Sequence, residues 1–214
     1  MTSLLSTTDR GAVAADAVRA LGVASVVISA VGRGPIDAAL FALVFGGLLL
    51  PRMLRVPSGL DAAYGVGLLV AAWSGALDLY DVIGWLDLAV HLATTGLVAA
   101  VAYLAMVRTG TVLDPRDLPR AGRRAGSPGG ATSAVVDRND RRGSGVVVLT
   151  AALGLGLSVL WEVSEYLGHT YLDDTIYVEY VDTVGDMAIG GLGSAIAGVA
   201  LTVWGRRTAR EPVV

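Results

Sequence analysis

The chain has 214 residues, of which 54% are hydrophobic and 16% are charged, with a mean hydropathy of +0.63 and a formal net charge of −3. Soluble domains are typically about 45–50% apolar and about 25% charged, so this composition argues against a soluble globular enzyme and indicates a protein that lies in a membrane. The chain contains no cysteine, which excludes disulfide bonds, thiolate metal ligands and a cysteine nucleophile.

Six windows of the sequence are apolar over a length close to the roughly 20 residues that a helix needs to cross a bilayer. In chain order, these spans 1 to 6 cover residues 12–31, 35–53, 60–79, 83–107, 145–167 and 182–204. They predict an all-α, polytopic integral membrane helix bundle with about six transmembrane helices. Span 1 contains Asp16 and Arg19, which would neutralise each other across one helical turn; alternatively, this helix lies on the membrane surface. Asp37 and Asp61 stand at the start of their helices, where the helix dipole favours an anion.

Arginine, which supplies all 16 basic residues, concentrates on one side of these spans. Arg10 precedes span 1, Arg52 and Arg55 lie between spans 2 and 3, eight arginines lie within 108–142, and three follow span 6. Only Arg33 falls in a connection on the opposite side, where the other loops are acidic and aromatic. Because short cytoplasmic loops hold the excess of positive charge, we expect both termini in the cytoplasm, in a multi-pass protein of the plasma (inner) membrane.

Two further patterns are typical of a membrane bundle. An outer aromatic belt is predicted from Trp85, Trp161, Tyr166, Tyr171 and Tyr180, with Trp204 as its inner counterpart. Gly190, Ser194 and Gly198 form a stripe of small residues that favours close helix packing.

The segment from Arg108 to Gly143, between spans 4 and 5, is rich in Arg, Gly and Pro and has few large apolar residues. It cannot bury a core of its own, so we expect a mostly disordered cytoplasmic loop. Its arginines are suited to contact anionic lipid headgroups, at about 1 kcal/mol each. Nucleic acid is not an expected partner, because four aspartates interrupt the basic run and no aromatic side chain is present to stack on bases.

Spans 4, 5 and 6 each carry two ionisable side chains, spaced so that both lie on one helix face. The pairs are Asp87 with His91, Glu162 with Glu165, and Asp182 with Asp186. With a rise of about 1.5 Å per residue, Asp87, Glu162 and Asp186 are all predicted roughly 5–8 Å below the outer boundary of the membrane. No arginine lies in the outer halves of spans 3 to 6. Since a charge within the membrane costs about 2.5–3.5 kcal/mol, such a cluster must hold protons, bind cations or be hydrated.

The chemistry of this cluster favours a divalent metal ion. Carboxylate oxygens with one imidazole and no sulfur suit Mg, Mn, Fe or Zn. The candidate metal ligands are Asp87, His91, Glu162, Glu165, Asp182 and Asp186. Glu162 and Glu165 are also the candidate catalytic residues, one of them acting as general base toward a metal-activated water. The alternative is hydrogen bonding at a hydrated helix interface; for Asp182, and more weakly Asp186, it is the favourable position of an anion at a helix N-terminus.

The motifs D-x-x-x-H, W-E-x-x-E and D-T-x-x-D-M, the last followed by a Gly-rich helix, together resemble the YjdF-like family of small polytopic prokaryotic inner-membrane proteins. The matching positions are Asp87 and His91, then Trp161, Glu162 and Glu165, then Asp182, Thr183, Asp186 and Met187. The resemblance covers about residues 60–204, and the Arg-rich segment departs from the compact form of that family. It implies the membrane class and a common role for the three motifs, but no substrate or reaction.

Three functions are compatible with an outer-leaflet metal site of this kind. The first is a metal-dependent enzyme that acts on a lipid-linked or small extracytoplasmic substrate. The second is a proton- or cation-coupled transporter, which would need a polar path to the inner face, where spans 1 to 3 offer few polar residues beyond Asp16 and Arg19. The third is a structural or assembly partner of another membrane protein.

Overall fold

The computed structural model of the protein describes residues 7–118, 131–174, 176 and 178–209, without the side chains of 7–9 and 131–139. The helices are, in chain order, α1 (Thr7–Gly32), α2 (Pro35–Leu54), α3 (Ser58–Ala76), α4 (Leu79–Val82), α5 (Leu86–Arg108), α6 (Ala131–Tyr171) and α7 (Tyr180–Arg207). A 3₁₀ turn, Pro115–Asp117, lies between α5 and α6. These described ranges contain no β-strand, which confirms the predicted all-α fold.

Five of the helices are long and apolar enough to cross a membrane. They are Arg10–Gly32, Pro35–Leu54, Leu86–Arg108, Asp140–Tyr171 and Tyr180–Arg207, which correspond to spans 1, 2, 4, 5 and 6. Span 3 forms the 19-residue helix α3, which carries Asp61 in its first turn and is not among these five. The protein is therefore a polytopic helical membrane bundle, as predicted.

The first three helices pack on one another around aromatic and ionic contacts. The rings of Phe41 and Trp73 lie with their centroids 4.7 Å apart, and the Trp73 indole donates a hydrogen bond to the Ser25 hydroxyl. The Arg19 guanidinium contacts Asp16 at 3.0 Å, as the sequence predicts. It also contacts Asp61 at 2.6 Å, so Asp61 is the partner of a mostly buried cation in addition to standing at a helix start.

Glycine allows α7 to approach α5 and α6 almost to backbone contact. A methyl group built on Gly193 would lie 2.8 Å from the Leu92 carbonyl carbon of α5, and one built on Gly198 would lie 2.7 Å from the Val147 Cα of α6. Ser194, between them on the predicted small-residue stripe, is fully buried. Small residues permit such contacts, in which van der Waals packing stabilises helices within lipid.

The structure differs from the expected disordered loop 108–143 at both of its ends. Pro115 and Leu118 are buried, and the Tyr103 hydroxyl donates a hydrogen bond of 2.8 Å to the Leu113 carbonyl oxygen. Residues 131–143 belong to α6, and residues 119–130 lie outside the described residues. The few apolar residues after α5 are ordered without forming a separate core, because they pack on the apolar surface that α5 and α7 provide. We call residues 111–118 the end cap of the bundle.

Candidate metal centre

The three helices that carry the ionisable pairs present them at one end of the bundle, opposite the end cap. Asp87 is the second residue of α5, and His91 lies one turn further along. Asp186 lies in the second turn of α7, while Glu162 and Glu165 lie in the last turns of α6. Because α5 and α7 begin at this end and α6 ends there, the predicted convergence follows from the alternating direction of the helices.

Three of the six predicted ligands come together as a compact group. The side-chain oxygen and nitrogen atoms of Asp87, His91 and Asp186 lie within 4.8 Å of one another. The Nε2 atom of His91 is 3.5 Å from Asp87 Oδ1 and 4.0 Å from Asp186 Oδ2. A metal ion bound at about 2 Å from each ligand atom bridges atoms at such separations. We call these three residues, which could hold a metal ion, the metal centre.

The metal centre is largely shielded from its surroundings. The exposed fraction of the side chain is 23% for Asp87, 12% for His91 and 4% for Asp186. The Asp186 Oδ1 atom is buried and receives no hydrogen bond from any part of the chain that the structure describes. A buried carboxylate oxygen without a partner is costly, so this atom requires a proton or a cation.

The other three predicted ligands surround the metal centre but are not part of it. Glu162 is buried, lies beside Thr183, and interacts electrostatically with Asp87 and Asp182. Its Oε1 atom is a second buried oxygen that receives no hydrogen bond within the described ranges. Glu165 and Asp182 are partly buried. Glu165 likewise interacts electrostatically with Asp87 and Asp186, so both glutamates lie near the metal centre without belonging to its compact group.

Tyr80 is a site residue that the sequence analysis missed. It lies in the short helix α4, its hydroxyl donates a hydrogen bond to the Ala71 carbonyl oxygen at 3.1 Å, and it interacts electrostatically with Asp87. Burial, and after it the negative charge of Asp87, raises the pKa of the Tyr80 phenol. Asp78 adopts a left-handed backbone conformation with φ of 53°, and the chain turns there between α3 and α4. No periodicity runs through such a turn, so the pattern of the sequence gives no signal for this contact.

His169, in the last turn of α6, is not brought to the metal centre by any contact that the structure describes. Its Nδ1 atom lies 2.7 Å from the Ile176 carbonyl oxygen and is occupied by that hydrogen bond. The single imidazole of the metal centre is therefore that of His91.

A family model described as "Predicted membrane protein (DUF2238)" matches residues 15–207, and the chain belongs to this family. The matched region includes the metal centre, Glu162, Glu165 and Asp182, and it extends from α1 to the end of α7. The predicted membership of a membrane-protein family is thus confirmed, although the match does not carry the YjdF name. Neither a curated protein nor a solved structure matches the chain.

Proposed function

We propose that this member of the DUF2238 family binds one divalent metal ion at Asp87, His91 and Asp186 and uses it as an enzyme on a lipid-linked or other extracytoplasmic substrate. The observation that carries the proposal is the buried Oδ1 atom of Asp186, which lacks a hydrogen bond within the described residues and belongs to a group of potential ligands within 4.8 Å. One divalent ion would offset both carboxylate charges and supply the missing partner. Two carboxylates and one imidazole suit Mn, Mg, Fe or Zn and leave coordination positions for water and substrate.

The reaction that this arrangement would support is hydrolysis: the oxygen of a metal-activated water would bond to the phosphorus or carbonyl carbon of the substrate, the bond to the departing alcohol would break, and a glutamate would pass the water proton to the departing oxygen. A bound divalent ion lowers the pKa of water and polarises an oxygen of the substrate. Glu162, with its unpartnered Oε1 atom, and Glu165 are the groups available to accept the proton of that water. A general base of this kind typically contributes a factor of about 10²–10⁴ to the rate.

The depth of the metal centre favours a substrate with a lipid headgroup. Trp85, Tyr166 and Tyr180 are 68%, 56% and 81% exposed, and each lies within six residues along its helix or helix cap from a member of the site. Exposed aromatic side chains of membrane proteins concentrate at the level of the headgroups. The metal centre would then lie just below that level, where a headgroup or a soluble extracytoplasmic molecule can reach it.

An enzyme fits the helices below the metal centre better than a transporter does. Residues 92–107 of α5, 143–161 of α6 and 187–205 of α7 include no acidic, basic or histidine side chain. Apolar side chains, among them Ala100, Leu104 and Leu201, fill this part of the bundle, and the end cap packs on its far end. A transporter would require the ion to leave through this layer. We therefore propose that the metal ion and the substrate reach the metal centre only from the end of the bundle at which it lies.

We also propose that the metal centre faces the extracytoplasmic side and that both termini are cytoplasmic, because arginine concentrates at the end cap side. The chain is free of cysteine, so single replacements can be labelled with a membrane-impermeant maleimide in intact cells. A cysteine at Asp81, on α4, should react directly, and one at Thr208 should react only after permeabilisation. The reverse pattern would overturn the orientation.

The metal is tested by titrating purified protein with Mn²⁺ and following the free ion by electron paramagnetic resonance. Wild type should bind one ion, more tightly as the pH rises, because carboxylates and imidazole must lose their protons to bind a metal. Asp186→Asn should abolish binding. Asp81→Asn, which removes an exposed carboxylate at the same end of the bundle, should leave it unchanged. Equal binding by the two variants, or no binding by wild type with Mn²⁺, Mg²⁺ or Zn²⁺, would overturn the proposal.

The enzymatic part is tested separately, in nanodiscs that contain a bacterial total lipid extract. Mass spectrometry of the metal-loaded wild type should detect headgroup release that Glu162→Gln reduces at least 100-fold while Mn²⁺ binding persists. Metal binding without any such release would leave the metal centre intact and remove the hydrolytic role on lipids. In the transporter case, release would be absent and liposomes would show cation flux that Asp186→Asn abolishes.

A further inference from the structure

A second candidate binding site extends from Leu92, one residue beyond His91, to the end of the bundle opposite the metal centre. There α3, α5 and α7 enclose an apolar groove with a volume of about 470 Å³. Every side chain that lines it is apolar or glycine, from Leu92 and Ala93 at one end to Pro57 and Trp204 at the other. The groove is open to its surroundings, because Ile196 on its wall is 54% exposed.

The dimensions of the groove fit one lipid chain. On α5 its wall runs from Leu92 to Leu104, a distance of about 18 Å at 1.5 Å per residue. The hydrocarbon core of a bilayer is about 30 Å thick, so the chains of one leaflet occupy about 15 Å of depth. The groove thus extends over the depth of one leaflet.

Two exposed arginines, Arg55 and Arg207, flank the mouth of the groove. Arg55 lies two residues before Pro57, and Arg207 lies one turn beyond Trp204 on the same face of α7. Both side chains are exposed, and neither forms an ion pair within the ranges that the structure describes. By contrast, Arg116, whose guanidinium lies over the Trp204 ring, is already paired with Asp114.

We propose that this groove binds one acyl chain of an anionic phospholipid, with Arg55 and Arg207 contacting its phosphate-containing headgroup. The apolar lining selects the chain, and the two unpaired guanidinium groups select the negative charge, so the site requires both parts of the lipid. It contains no residue of the metal centre, its charged mouth lies at the other end of α5 and α7, and it does not depend on any reaction at the metal centre.

The test is native mass spectrometry of the full-length protein in detergent, with dioleoyl phosphatidylglycerol and dioleoyl phosphatidylcholine as probes. Wild type should retain one phosphatidylglycerol in preference to phosphatidylcholine. The double variant Arg55→Gln/Arg207→Gln should bind phosphatidylglycerol about 30-fold more weakly, since each cationic side chain at an anionic surface contributes roughly fivefold. Arg10→Gln, at an exposed arginine of the same end on α1, should bind like wild type.

The position of the chain is tested by filling the groove. Ala93→Phe and Ala200→Phe place a ring in the open groove and should remove both lipids, whereas Ala24→Phe, on an exposed face of α1, should remove neither. Equal binding of the two lipids by wild type would overturn the recognition of charge. Retention of lipid by both groove variants would overturn the location. A lipid-free dimer that Ala93→Phe dissociates would assign the groove to a second copy of the chain instead.

Discussion

Gly193, two turns beyond Asp186 on α7, lies against the backbone of α5 at Leu92, the residue that follows His91. A methyl group at this position would overlap the Leu92 carbonyl oxygen and lie 2.8 Å from the carbonyl carbon, whereas ordinary contacts begin at 3.4 Å. Both atoms belong to backbone, so α7 must move away from α5 by at least 0.6 Å, the difference between these distances. Overpacking of this kind destabilises a protein by about 1–3 kcal/mol, while the higher helix propensity of alanine over glycine stabilises it by at most about 1 kcal/mol.

We therefore expect Gly193→Ala to lower the free energy of unfolding by about 1–2 kcal/mol, and the melting temperature by several degrees. Metal affinity should fall about tenfold, because shifts of more than about 0.5 Å move the ligand atoms of a binding site out of their productive geometry. The assays are thermal unfolding in detergent and the Mn²⁺ titration.

The matched control is Gly185→Ala on the same helix, where the nearest atom is Leu88 Cδ2 at 3.9 Å. It should keep the metal affinity of wild type and be equally or slightly more stable, because there is space for the methyl group. If Gly193→Ala behaves like Gly185→Ala in both assays, then α5 and α7 do not hold the metal centre through this contact.

Two other changes test the opposite end of the bundle. Asp61→Asn should lower the free energy of unfolding by about 3–5 kcal/mol, because it leaves the mostly buried Arg19 charge without its closest carboxylate. Asp16→Asn, at a carboxylate that is 56% exposed, should cost under about 1 kcal/mol. Similar melting temperatures for the two variants would contradict the assignment of Asp61 as the main partner of Arg19. Tyr103→Phe removes the hydrogen bond to Leu113, so the free energy of unfolding should fall by about 1 kcal/mol and proteases should cut the end cap faster, while Mn²⁺ binding stays unchanged. An unchanged digestion rate would show that this bond does not hold the end cap.

The sequence predicts the long apolar helices and the approach of Asp87, His91 and Asp186, but neither the short helix α4 nor the beginning of α6 at Ala131. Helical spacing places two side chains on one face, and the alternation of spans places the three pairs at one end. The same information could not decide whether Glu162 belongs to the compact ligand group. That choice depends on the rotation of α6 against α7, which is set by contacts such as Gly198 on Val147 that leave no trace in the spacing of charges.

Contacts between residues far apart in the chain were the main limit of the sequence analysis. Asp61 at the start of a helix is adequately explained by the dipole alone, so nothing in the pattern required Arg19, 42 residues earlier, as its partner. Tyr80 was missed for a related reason, since α4 turns back toward α3 and no periodicity crosses that turn. Composition was misleading for the end cap as well, because a segment too polar to form a core can still pack when its neighbours supply the apolar surface.

The distribution of charge along α5, α6 and α7 connects these findings to function. The middle of each of these helices contains no acidic, basic or histidine side chain, at exposed positions as well as at buried ones. Charges reappear only toward the two ends, as carboxylates with two histidines at one end and as arginines, with Asp137 and Asp140 of α6 among them, at the other. Asp186 is 4% exposed, lies beside another acidic side chain and has no guanidinium among the contacts that the structure describes, so its carboxylate is stable only with a bound cation or proton. The cost of burying Asp186 is thus the physical reason to expect a bound cation or a proton at this end of the bundle. The Mn²⁺ titration decides between the cation and the proton.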